Sequence, residues 1–146
     1  MTTNSSPPPR PGDVIEYSYL WRHETAAGQE EGIKSRPCLV LALEQQAERW
    51  FVYVVPATST RPRKGGIELP GATANRIGLR TIPCWIVALE TNRFAWPGPN
   101  LRPVPGTRRD PFWMSGAVSG SFHAFVAAAH LKWRQIDRGA VVSRSE

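Results

Sequence analysis

Two apolar runs in the first half of the chain restrict it to a fold built around a buried hairpin. Residues 37–43 (PCLVLAL) are almost continuously apolar, and residues 50–55 (WFVYVV) form a second such run. β-branched and aromatic side chains favour strands, and two such runs around a short polar segment are typical of a hairpin. The sequence therefore predicts two buried, paired strands joined by a turn at residues 44–49.

Proline and glycine divide the rest of the chain into short pieces. Of its 146 residues, 14 are prolines and 12 are glycines, and both residue types interrupt regular structure. Short strands and turns are therefore favoured over long helices. Beyond the hairpin, strands are predicted at residues 14–19, 67–69 and 84–90, and a single helical turn at residues 72–77.

One longer helix is predicted at residues 119–133. Ser119 can cap its start, and Phe122, Val126, Ala129 and Trp133 recur at helical spacing. The expected fold class is therefore mainly β: a small, bent antiparallel sheet or barrel with long loops and a C-terminal helix packed on it.

The remaining segments are predicted as loops and tails. Residues 21–35, 91–99 and 101–112 are rich in polar residues, proline or aromatic residues without periodicity, which is typical of loops. Residues 1–11 form a predicted disordered tail and residues 134–146 a loosely held C-terminal tail, with a short extended piece at residues 140–142. The folded domain is therefore expected at residues 12–133.

The charge of the chain favours an anionic partner. Its net charge is +6 and its isoelectric point is about 10.0, which suits nucleic acid, an acidic protein or a membrane surface. Of the 18 basic residues, all but Lys34, Lys64 and Lys132 are arginines. Arginine binds phosphate through two parallel hydrogen bonds, although the base composition of a genome can enrich arginine equally.

Compartment and redox state follow from the apolar segments and the cysteines. No run approaches the roughly 18 apolar residues that a membrane span needs, and the N-terminus has no apolar core of a signal peptide. Cys38 and Cys84 lie in predicted strands without metal-binding neighbours. The sequence predicts free, buried thiols in a cytoplasmic protein that has no membrane partner.

Arg36 and Thr58 stand at the ends of the two hairpin strands. Pro37 keeps Arg36 extended, because its ring disfavours the helical region for the preceding residue. A guanidinium held at a strand mouth is suited to an anionic group such as phosphate. Alternatively, Arg36 forms a local salt bridge, and the hydroxyls of Thr58, Ser59 and Thr60 serve only their own turn.

Short motifs along the chain resemble the MazF/PemK/Kid family of toxins, in particular a PemK-like branch. Their order and spacing over residues 11–130 carry the resemblance. In chain order they are GDVI at 12–15, Gly32 followed by RPCLVL at 36–41, VVPATS at 54–59, IELP at 67–70, GL at 78–79, WIV at 85–87, ETNRF at 90–94 and WPGPNLR at 96–102.

That resemblance implies an SH3-like β-barrel that usually forms a homodimer. It implies a sequence-specific endoribonuclease that cleaves single-stranded RNA without a metal or other cofactor and so inhibits growth. It also implies a cognate antitoxin as partner, with which such toxins often bind DNA and repress their own operon.

The resemblance assigns catalytic roles to three residues. Arg36 is expected to bind phosphate and stabilise the transition state, and Thr58, supported by Ser59, to orient a phosphate oxygen. Glu90 lies where Kid-like proteins have an acidic residue proposed as the base. However, Ala88 replaces the arginine that accompanies that acid, so Glu90 could instead tie down a loop.

Further residues are predicted to contact RNA. The candidates are Arg61, Arg63 and Lys64 in one basic loop, the cluster Arg102, Arg108 and Arg109, and Trp96 as a stacking platform for unpaired bases. The alternative for the basic residues is a solvated loop. Trp85 and Phe94 could also stack unpaired bases, and the alternative for all three aromatic residues is to pack the barrel. Trp85, inside an apolar strand, is expected to pack in the core.

The histidines are expected to be non-catalytic. His23 lies in a predicted exposed loop, and the family position that sometimes holds a catalytic histidine aligns with Glu30. His123 and His130 share one helix face, which predicts a core-edge or dimer contact. Because a clear acid–base pair is missing, a non-catalytic module that binds nucleic acid or an acidic protein remains the alternative function.

Overall fold

The computed structural model describes residues 7–26, 28, 34–79, 82–106, 110–136 and 141–144. Within these ranges the chain forms eight strands and three helices. The strands are β1 (Asp13–Tyr17), β2 (Arg36–Gln46), β3 (Arg49–Thr58), β4 (Gly66–Glu68), β5 (Trp85–Val87), β6 (Thr91–Ala95), β7 (Met114–Ala117) and β8 (Val141–Ser143). The helices are α1 (Arg22–Ala26), α2 (Gly71–Arg76) and α3 (Gly120–Ile136). The mainly β class with a C-terminal helix is thus confirmed.

The central strand of the sheet is β3. The strand order is β4-β5-β3-β2-β1-β7, and β6 pairs with β3 and with β8. The β6–β8 pair is parallel, and the other pairs of described strands are antiparallel. The hairpin of β2 and β3 is confirmed, with a shorter turn than expected: Gln46 pairs with Arg49, so only Ala47 and Glu48 lie between the strands.

Both faces of the hairpin are buried, which explains its nearly continuous apolar sequence. On one face, Leu39 and Val55 pack with α2, β5 and the buried side of α3. On the other, Val40 and Val54 pack with aromatic residues of β1 and β6 and with Trp113. The middle of the hairpin therefore lies between two cores, while its turn end is exposed.

The predicted loops contain additional regular structure. Residues 91–95 form β6 rather than a loop, because Asn92 is buried and its amide satisfies both backbone groups of Leu20, at 2.8 Å each. Strand β7 lies just beyond another predicted loop, and α1 lies within residues 21–35. In β6 the buried residues Thr91 and Asn92 are polar, so no apolar pattern marked this strand in the sequence.

The predicted tails also differ from the structure. Helix α3 begins after Ser119, whose Oγ accepts a hydrogen bond from Phe122 N as predicted, but continues to Ile136. Strand β8 then pairs with β6, so the described C-terminal residues belong to the sheet. At the N-terminus Pro9 is already buried. Residues 1–6 lie outside the described part of the chain.

None of the described helices is long and apolar enough to cross a membrane.

Candidate functional site

Arg36 and Thr58 lie at the open end of the hairpin. Arg36 begins β2 and Thr58 ends β3, each two residues beyond Cys38 and Pro56, the last residue pair of the β2–β3 ladder. The Arg36 guanidinium also donates a hydrogen bond from Nη1 to Ala57 O, at 3.3 Å.

The two residues line one pocket of about 280 Å³. Its positive charges come from Lys34 and Arg36, and no carboxylate is among the described lining residues. The wall is formed by Lys34, Ser35, Arg36, Pro37, Ala57, Thr58, Ser59, Leu79 and Cys84. A cationic, hydroxyl-bearing pocket of this kind is suited to an anion. We call it the Arg36–Thr58 pocket.

The Arg36 side chain is held by an aromatic ring rather than by an acid. Its guanidinium carbon lies 4.9 Å from the ring centroid of Trp21, a cation–π contact, and Trp21 packs edge-on against Tyr19. Within the described chain no carboxylate forms a salt bridge with Arg36, so the predicted alternative of a rim salt bridge is not found there. The guanidinium is therefore fixed in place without its charge being neutralised.

Thr58 combines a turn role with an accessible hydroxyl. Its Oγ1 accepts a hydrogen bond from Thr60 N at 3.1 Å, which is the local turn chemistry that the sequence offered as an alternative. Accepting this bond leaves the hydroxyl proton able to donate. Ser59 lines the same pocket. Both predicted hydroxyl residues are therefore beside Arg36.

Glu90 does not line this pocket. Its Oε1 accepts hydrogen bonds from Tyr19 Oη at 3.1 Å and from Arg22 N, the first residue of α1, at 2.8 Å. It lines a different cavity of about 350 Å³ with Arg22, Lys64 and the end of α3. Burial raises the pKa of Glu90 above its usual value, although these hydrogen bonds oppose the shift. The contacts favour the predicted structural role, with Glu90 securing the start of α1.

The predicted basic loop lies beside the site. Arg61, Arg63 and Lys64 line a second pocket of about 270 Å³, which we call the basic-loop pocket. Its other described wall residues include Glu68 and Trp85, from β4 and β5. Trp85 pairs directly with Thr58, so one lining residue of each pocket meets in the β3–β5 pair, while the two pockets share no described lining residue.

Trp96 and Arg102, also predicted to contact RNA, do not line these two pockets. The Trp96 ring packs on the aromatic core, edge-on against Trp113 with ring centroids 5.0 Å apart. Arg102 Nη1 donates to Pro99 O at 2.8 Å and to Leu101 O at 3.1 Å, which ties its own loop. Arg108 and Arg109 lie outside the described residues.

Trp85 does not have the core position that was expected of it in preference to base stacking. It is only half-buried and lines the basic-loop pocket. A signal was present: the neighbouring Cys84 and Ile86 both enter the core, and side chains alternate between the faces of a strand. That alternation places Trp85 on the face opposite to the core contacts of Cys84 and Ile86.

The helix histidines have the predicted core-edge role. His123 Nε2 lies 2.7 Å from Leu41 O, and His130 Nδ1 lies 2.8 Å from Ala88 O, so both attach α3 to the sheet. Burial lowers the pKa of His130. His23 is exposed on α1, stacked near Trp21, and does not line the Arg36–Thr58 pocket. Glu30 lies outside the described residues.

The cysteines and the metal-binding residue types form no second candidate site within the described residues. Cys38 and Cys84 are free and buried, as predicted, and burial raises the pKa of the Cys38 thiol. Across the described ranges, no cluster of three or more His, Cys, Asp and Glu side chains is placed to hold a metal ion. The Arg36–Thr58 pocket is therefore the best-formed candidate site.

Comparison with known proteins does not identify a family for this chain. No protein family, no curated protein and no solved structure matches the chain.

Proposed function

We propose that the protein is a metal-independent, sequence-specific endoribonuclease of the MazF/PemK/Kid toxin type, with the SH3-like barrel of that family. Its substrate is single-stranded RNA, and the scissile phosphate occupies the Arg36–Thr58 pocket. One observation carries the proposal: Arg36 and Thr58, the two residues that the motif resemblance assigns to phosphate, line the same cationic pocket.

The pocket supplies the charge stabilisation that cleavage by the RNA's own 2′-hydroxyl requires. The 2′-hydroxyl gives its proton to water and its oxygen bonds to phosphorus. The bond to the 5′-oxygen breaks as that oxygen takes a proton from water, and negative charge develops on the non-bridging phosphate oxygens. The Arg36 guanidinium stabilises that charge, and the Thr58 hydroxyl donates to a second oxygen. Because Trp21 and Ala57 already hold Arg36, little reorganisation of the guanidinium is needed during the reaction.

A cleavage assay with matched arginine variants tests the proposal. We expect the purified chain to cut a long single-stranded RNA at defined sites in EDTA, and Arg36→Ala to slow cleavage by about 100-fold or more, as loss of a transition-state donor does. Arg49→Ala is the control, because Arg49 begins β3 at the opposite end and also lies beside a ring, that of Phe51. Equal cleavage by both variants would contradict the assignment.

Thr58 is tested in the same assay. Thr58→Ser keeps the hydroxyl and should retain most activity, whereas Thr58→Val keeps the shape and should lose activity. A Val variant as active as the Ser variant would restrict Thr58 to its turn bond with Thr60.

A second candidate function is RNA binding without cleavage. It is favoured by the pocket lining, which contains no histidine or carboxylate among the described residues to act as general base. RNA that binds tightly but stays intact at every protein concentration, with binding lost in Arg36→Ala, would support this function over the nuclease.

The proposed function includes protein partners. Three large apolar side chains of α3 are exposed, with Phe125 62%, Leu131 55% and Ile136 76% exposed, and Phe125 and Ile136 lie on the same side of the helix. A homodimer and a cognate antitoxin in the cytoplasm are the partners proposed from the motif resemblance. Sedimentation of the chain alone, and with the product of an adjacent acidic reading frame, measures both.

A further inference from the structure

Four side chains with different chemistry stand in one row across four strands. Arg36 lies beside Thr58 in the pocket that both line, Thr58 pairs with Trp85 across β3 and β5, and Trp85 pairs with Glu68 across β5 and β4. Directly facing residues project from the same side of a sheet. The row therefore presents a guanidinium, a hydroxyl, an indole ring and a carboxylate in that order.

The spacing of this row suits a nucleotide. Neighbouring strands lie about 4.8 Å apart, so Trp85 is roughly 5 Å and Glu68 roughly 10 Å across the sheet from Thr58. A base attached to the sugar beside a phosphate in the Arg36–Thr58 pocket would reach this distance. The row thus leads from a phosphate site directly to a flat aromatic ring.

The surroundings of Trp85 fit an unpaired base. The ring lines the basic-loop pocket of about 270 Å³, together with Arg61, Arg63 and Lys64. The neighbouring side chains Cys84 and Ile86 lie in the core and fix the strand that carries the ring. A held aromatic ring flanked by cations is the usual arrangement for stacking single-stranded bases beside their phosphates.

We propose that Trp85 and Glu68 form a nucleobase subsite, in which the base stacks on Trp85 and its edge donates hydrogen bonds to the Glu68 carboxylate. The inference rests on the proposed function, since it takes the adjoining phosphate to occupy the Arg36–Thr58 pocket. The subsite selects guanine, whose Watson–Crick edge presents adjacent N1–H and N2–H₂ donors to a carboxylate. Uracil is disfavoured because its single N–H lies between two carbonyl oxygens.

Equilibrium binding to a non-cleavable RNA tests the subsite independently of catalysis. The probes are a short labelled oligomer of 2′-fluoro-uridine and the same oligomer with one central guanosine analogue, also 2′-fluoro. Neither oligomer can be cut, because both lack the 2′-hydroxyl. The oligomer with guanine can bind in the register that places the guanine in the subsite. Fluorescence anisotropy should show that the wild type binds the guanine oligomer more tightly, on the order of 10-fold.

Variants of Glu68 and Trp85, each with a control variant in the β2–β3 hairpin, test whether these two residues cause the preference. Glu68→Gln should remove most of the guanine preference, whereas Glu48→Gln, the same charge change at the far turn of the hairpin, should preserve it. Trp85→Leu should weaken binding of both oligomers by about 10-fold, the usual scale for one stacked base. Trp85→Phe should recover part of that loss. Trp50→Leu, near the far end of β3, should have little effect.

The outcomes separate the subsite from the nuclease. If Glu68→Gln keeps the guanine preference, or Trp85→Leu binds as the wild type does, the subsite is wrong even where Arg36→Ala abolishes cleavage. If the wild type never cuts RNA but prefers guanine, and Glu68→Gln loses that preference, the subsite is supported and the proposed nuclease activity is contradicted. Absence of any RNA binding by the wild type overturns both.

Discussion

At the residue scale, the site depends on which charged groups are left unneutralised. Arg36 is restrained by the Trp21 ring and by the Ala57 carbonyl, neither of which cancels its charge. Glu90, in contrast, uses one oxygen to accept two protein hydrogen bonds. A residue that is occupied in this way is better placed to support α1 than to remove a proton from RNA.

Substitution of Glu90 should reveal this supporting role. Glu90→Gln keeps an oxygen for the Tyr19 and Arg22 hydrogen bonds, so the variant should cleave RNA about as fast as the wild type. Glu90→Ala leaves the buried Tyr19 hydroxyl without this partner and should lower the free energy of unfolding by about 1–3 kcal/mol. A loss of more than about 100-fold in cleavage by Glu90→Gln would instead identify a general base.

The pH dependence of the same pair gives an independent readout. The pKa of Glu90 is raised in the folded state, so the unfolded carboxyl, with a pKa of about 4.3, releases its proton first. The stability that Glu90 contributes is therefore complete below that value and is lost as pH rises through the folded pKa. In urea unfolding, the free energy of unfolding of Glu90→Gln should therefore increase relative to that of the wild type as the pH rises from 4 to 7.

At the element scale, the basic loop has a defined position because of two glycines. Gly65 has φ +74°, and its carbonyl accepts a hydrogen bond from Ala88 N at 2.8 Å. A Cβ at Gly65 would lie 2.2 Å from Leu89 Cγ, and one at Gly66 would lie 2.8 Å from Pro62 Cδ. The loop is therefore folded against β5 and against itself, which places its cations beside Trp85.

Gly65→Ala should displace this loop. The left-handed backbone alone costs an alanine about 1–2 kcal/mol, and Leu89 must also move. We expect lower stability in urea unfolding and weaker RNA binding, measured on the same preparation. Gly71→Ala is the control, because a Cβ there meets no atom within 4 Å. Equal behaviour of the two variants would show that the loop does not need this conformation.

At the scale of the whole molecule, the C-terminal strand joins distant parts of the chain. Arg144 is 9% exposed, and its Nη1 donates to Ser18 O at 2.9 Å, Asn92 Oδ1 at 3.2 Å and Tyr17 Oη at 3.4 Å. Asn92 in turn binds the backbone of Leu20. These contacts connect β8 and β6 to the segment after β1, which leads to Trp21 beneath Arg36.

Arg144→Ala should therefore destabilise the whole fold. Loss of a buried, charge-assisted donor should lower the free energy of unfolding by about 1.5–3 kcal/mol. Ser143→Ala, an exposed change in the same strand, should alter it by less than about 0.5 kcal/mol. Thermal or urea unfolding measures both. Matching curves for the two variants would mean that the C-terminal strand contributes little to the fold.

Local sequence pattern by itself determined the hairpin, the capped helix and the positions of Arg36 and Thr58. In an antiparallel hairpin the start of one strand and the end of the next lie at the same end, so the local pattern places an arginine and a threonine near each other there. No distant contact is needed for this placement. The apolar runs and the helical spacing are likewise properties of neighbouring residues.

Only the tertiary structure decided the roles of Glu90, Trp85, Trp96 and the C-terminal strand. The partners of these residues lie far away in sequence: Asn92 binds Leu20 across 72 positions, and Arg144 contacts Tyr17 across 127. Such contacts convert a polar segment into a buried strand, and they determine which tryptophan packs in the core and which lines a pocket. These contacts cannot be predicted from the pattern of neighbouring residues, because the groups that make them come together only in the folded chain.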